Sequence, residues 1–148
     1  MAIVFMVVAE CGENQESAQR IVSHFMGIRW VLPGEISMRF ESDTSSIWRR
    51  GNVVWCAVHP EGVSLDGTTQ RIKTDDVRTE IAKRCYAELR ILDCFRFALV
   101  GWEVADDNWE DILKTKGSPD LLPLGLVVND DLWTQLGQPP AFERLGTR

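Results

Sequence analysis

Two histidines, four cysteines and one dense run of acids are the side chains whose types could do chemistry in this chain. His24 and His59 fall in separate stretches with no ligand spacing between them, and the HExxH pattern is absent. A histidine-rich metal centre is therefore not expected, because a catalytic zinc needs three protein ligands brought together. Cys11, Cys56, Cys85 and Cys94 are widely spaced and form no CxxC pair. Cys56 or Cys11 beside one histidine would supply a nucleophile and its base. No local signature marks such a pair, and Cys56 and Cys85 fall in apolar patterns where cysteine acts as a small hydrophobe. Nucleotide cradles and the nucleophile elbow are equally unsupported, since GxGxxG, GxxxxGK[ST] and GxSxG do not occur. The expectation is no catalytic residue, no metal and no cofactor.

The acids are the stronger signal. Between Glu103 and Asp131 there are eight acids against two bases, Lys114 and Lys116. That imbalance equals the whole net charge of −6, and the remaining residues balance at fourteen of each sign. If Asp106–Lys114 is helical, Asp106 and Glu110 share a face, as do Asp107 and Asp111, because positions four apart are neighbours. Carboxylate pairs of this kind could hold a divalent cation or act as general acid and base. No DxDxDG-like loop accompanies them, which weakens that reading. Acids interleaved with tryptophan suit recognition better: the charge attracts a basic partner over distance, and the aromatic rings anchor it. The expected partner surface is Asp106, Asp107, Trp109, Glu110, Asp111, Asp130, Asp131 and Trp133. Its plainer counterpart is a solvated face with helix caps, which is what most surface charge runs are.

Those residues need elements to position them, and the stretch from Thr74 to Val104 organises the rest. Thr74-Asp75-Asp76 starts a helix with a hydroxyl cap and two acids in the first turn. Val77, Ile81, Cys85, Leu89 and Leu92 recur at helical spacing, with Ala82 and Tyr86 widening the stripe. Two residues later, Phe95–Val104 is aromatic and β-branched on both alternating faces, which predicts an interior strand. So short a connection turns the chain back and lays the helix on the sheet.

The remaining elements follow the same periodicities. Ile3–Ala9 is a continuous apolar run, the mark of a strand covered on both faces. It has no basic flank or cleavage pattern and is too short to span a membrane, so it is taken as a strand rather than a signal peptide. Glu13–Gly27 is helical, with Ala18, Ile21, Val22 and Phe25 on one side. Arg29–Leu32 is extended and stopped by Pro33-Gly34. Glu35–Glu41 alternates, with Ile36, Met38 and Phe40 inward. Ile47–Arg50 and Asn52–His59 form a hairpin around Arg50-Gly51-Asn52. Val63–Leu65 is a further short strand, Asp106–Lys114 a short acidic helix and Leu124–Val128 a last strand. Asn129-Asp130-Asp131 caps a final helix through Leu132, Trp133 and Leu136.

Short turns between neighbouring strands require antiparallel pairing. The predicted architecture is α+β: a single domain over residues 1–148, with a mixed or mainly antiparallel sheet and helices on one face. The tail from about residue 138 is expected to be loosely held. A hydrophobic content of 45% with 26% charged residues is an ordinary globular balance. The negative charge argues against nucleic acid and anionic membranes as partners. The cysteines are expected as reduced thiols in a cytoplasmic protein. Two functions stand at this stage. The first is a small protein-binding domain, immunity- or antitoxin-like, that covers a basic toxin or effector. The alternative is a small enzyme whose site gathers dispersed Cys, His and carboxylate side chains.

Overall fold

Helices and one large sheet give the α+β architecture that the periodicities predict. The computed structural model describes residues 5–41, 46–61, 75–92, 94–102, 126–135, 137 and 143–144. In chain order these are β1 (Phe5–Glu10), α1 (Gln15–Met26), β2 (Arg29–Leu32), β3 (Ile36–Glu41), β4 (Ile47–Arg50), β5 (Val53–Pro60), α2 (Asp75–Leu92), β6 (Phe97–Trp102), β7 (Leu126–Val128), α3 (Asp130–Gln135) and β8 (Glu143–Arg144). The expected strand at 63–65 and the acidic helix at 106–114 lie outside the described residues.

Strand order is β2–β3–β5–β1–β6–β7–β8, with β4 also paired to β5. Every pairing is antiparallel except β7 with β8. Near the end of the chain Glu143–Arg144 run parallel to Val127–Val128. β5 serves three neighbours. One edge takes β1, while the other is divided between β4 at Val53–Cys56 and β3 at His59–Pro60.

Alternation along the strands sorts residues to two faces. Val7, Ala9, Cys56, Val58, Met38, Phe40, Ala98 and Val100 point to the side covered by α1 and α2. Ala18, Ile21 and Phe25 of α1 meet them there, with the described part of the predicted α2 stripe, from Ile81 to Leu92. Each large side chain buried in this way contributes roughly 1.5–3 kcal/mol. Val8, Trp55, Phe97 and Leu99 point the other way and pack with Leu132 of α3. The two long helices thus share one face as predicted, and the short α3 lies on the opposite one.

The turns are set by backbone chemistry. Gly51 has φ +63° and opens the two-residue loop between Arg50 and Val53. A positive φ at the first central position is the type II′ requirement, which glycine meets without strain. Pro33-Gly34 turns β2 into β3, and Glu35 follows with φ +58°. Glu35 therefore belongs to the turn rather than to the alternating strand. Helix α1 starts two residues later than predicted, because Asn14 Oδ1 accepts the Ser17 N–H at 3.1 Å and acts as N-cap.

Tyr86 ties α2 to the sheet. The ladder from β6 to β7 ends at Leu99, and the next amide, Val100 N–H, donates to the buried Tyr86 hydroxyl at 3.3 Å. Burial pushes the Tyr86 phenol well above its ordinary range, so the group stays neutral. Replacing Tyr86→Phe removes that acceptor with little change of shape. The expected cost is about 1–2 kcal/mol in urea unfolding with an unchanged circular dichroism spectrum. An unchanged urea midpoint would contradict the role given to the hydroxyl.

Candidate functional site

The described part of the predicted partner surface is α3. Asn129 Oδ1 accepts the Leu132 N–H at 2.8 Å, the cap that the sequence anticipates. Asp130 and Asp131 are exposed in the first turn, where the helix dipole favours acids. Leu132 is buried, and Trp133 lies half-buried against the Val8, Trp55 and Phe97 cluster. One short helix thus carries two exposed carboxylates and a partly exposed indole. Asp106, Asp107, Trp109, Glu110 and Asp111 lie outside the described residues.

What holds α3 in place begins at Glu10, one residue beyond the strand that the apolar run predicts. Glu10 is 3% exposed, a rare setting for a carboxylate. It accepts the Gly12 N–H, and its second oxygen meets the Arg96 guanidinium at 3.0 Å. Gly12 has φ +63°, and a Cβ there would stand 3.4 Å from the Arg96 side chain. The backbone continues the link. Arg96 N–H donates to Glu10 O at 2.8 Å, and Asn129 N–H donates to Arg96 O at 2.7 Å. Asn129 then caps α3. A chain of hydrogen bonds therefore runs from the end of β1, through the residue before β6, to the helix that carries Asp130 and Asp131.

Both histidines lie against a glutamate. His24 Nε2 and Glu88 Oε2 are 2.6 Å apart and join the last turn of α1 to α2. His59 and Glu41 are cross-strand partners, with 3.4 Å between ring nitrogen and carboxylate. The next outward positions are Arg39 and Glu61, which form an ion pair of their own. Four charged or titratable groups thus stand together where β3 meets β5. The signal was available in the outward phase of 35–41, but β5 had to be known as the neighbour before it meant anything.

The cysteines do not join the histidines. Cys56 and His59 are three apart on one strand and so point to opposite faces. Cys11, Cys56, Cys85 and Cys94 are free thiols. Cys11 and Cys56 pack together in the core, where their contact and burial hold the Cys56 thiol well above its usual range. Cys85 is raised by burial in the same way. A raised thiol is the reverse of an activated nucleophile. Among the described residues, no group of three or more His, Cys, Asp or Glu assembles as metal ligands. No described helix is long and apolar enough to cross a membrane.

Of the tryptophans, Trp55 is buried and Trp30, Trp48 and Trp133 are half-buried. Trp48 and Trp55 are stacked ladder partners, 6.3 Å apart at 13°, and Arg50 sits 5.1 Å from the Trp55 ring centre.

Burial raises the pKa of Glu10, against the lowering effects of the Gly12 N–H and of Arg96. A carboxyl that binds its proton more tightly when folded contributes stability below its unfolded pKa. That contribution is lost as pH rises through the folded value. Glu10→Gln carries no such titration. The stability of the variant relative to the native chain should therefore rise as pH increases from 4.5 through the raised pKa. Urea unfolding at several pH values measures it, and a difference that falls with pH would contradict the assignment.

The chain matches no protein-family model, no curated protein and no solved structure, so the functional argument rests on these residues alone.

Proposed function

We propose that the chain is a small protein-binding domain of the immunity or antitoxin-like kind, which covers a basic partner in the cytoplasm. The carrying observation is the charge division: residues 103–131 hold an excess of acids equal to the entire net charge of −6. The exposure of Asp130 and Asp131 beside the half-buried Trp133 supports it, since these are the long-range and anchoring parts of an interface. The partner surface in this reading is Asp106, Asp107, Trp109, Glu110, Asp111, Asp130, Asp131 and Trp133. The partner is a toxin or effector whose own site is cationic.

A surface of one sign predicts fast, salt-sensitive association. The test uses the purified chain as bait in host lysate, with the products of adjacent genes as named candidates. A basic protein should be retained at low ionic strength and released by ~0.5 M salt. Reversing Asp106, Asp107, Glu110 and Asp111 to Lys should slow association by about tenfold or more. Retention that is indifferent to salt or to the reversal would overturn the reading.

The alternative, a small enzyme, draws on one observation: each histidine contacts a glutamate. That reading uses His59 and Glu41 as a base and its orienting group. It requires His59→Ala to abolish turnover of some substrate while leaving partner retention intact.

A further inference from the structure

We draw no further inference here: the strongest candidate, the side-chain cluster of Cys11, Cys56 and Cys94 against α1, shows no activated thiol among the described residues, because the Cys94 S–H donates to Ser17 O at 3.8 Å and contact with Cys11 and burial keep the Cys56 proton in place.

Discussion

The contact between the buried Glu10 carboxylate and the solvent-facing Arg96 guanidinium is the constraint on which the rest of the arrangement depends. A carboxylate with 3% exposure is tolerated only when its oxygens are met, and here Gly12 N–H and the guanidinium meet them. The geometry that satisfies Glu10 also fixes the chain on both sides. Gly12 must take a left-handed backbone to turn its N–H inward, and that turn leads the chain toward α1. Arg96 must stand beside the end of β1, and its carbonyl then receives Asn129. Removing Arg96 would leave the Glu10 carboxylate buried without its counter-charge, whereas Arg96 itself keeps access to solvent.

The same sheet keeps two charged features apart. β2 and β3 lie at one end of the strand order and carry Arg29 and Arg39, which are ladder partners. β7 lies toward the other end and leads into α3 with its two acids. β5 and β1 stand between them, buried on both faces by Val54, Cys56 and Val58 on one side and Val8 and Trp55 on the other. Charged groups separated in this way by an apolar sheet do not neutralise each other across the surface. Each keeps its own field, and solvent ions screen the remainder within about 10 Å at ordinary salt.

Periodicity made most of the architecture legible. The α2 stripe, the interior strand behind it and the inward phase of Ile36, Met38 and Phe40 depend on local spacing, and among the described side chains the apolar positions are buried apart from Ile36, which is half-buried. The hairpin at Gly51 and the cap at Asn129 were readable because each uses residue types with a specific backbone or hydrogen-bonding role. Long-range pairing was not legible. Nothing in the sequence says that β5 divides one edge between β3 and β4, or that Arg29 faces Arg39. The His59–Glu41 and Arg39–Glu61 contacts follow from that register, so they were hidden with it. Glu10 was missed for another reason. A charged residue ending an apolar run looks like a strand leaving the core, and only the location of Arg96 shows that the core continues around it.

The central functional claim is that the acid-rich segment from Glu103 to Asp131 is the surface that meets a partner. The most direct measurement is amide hydrogen exchange across the chain, with and without the retained basic protein. The account predicts new protection over residues 103–135 and unchanged exchange along the β2–β3 hairpin. Protection confined to Arg29–Glu41, with α3 exchanging as in the free chain, would contradict it.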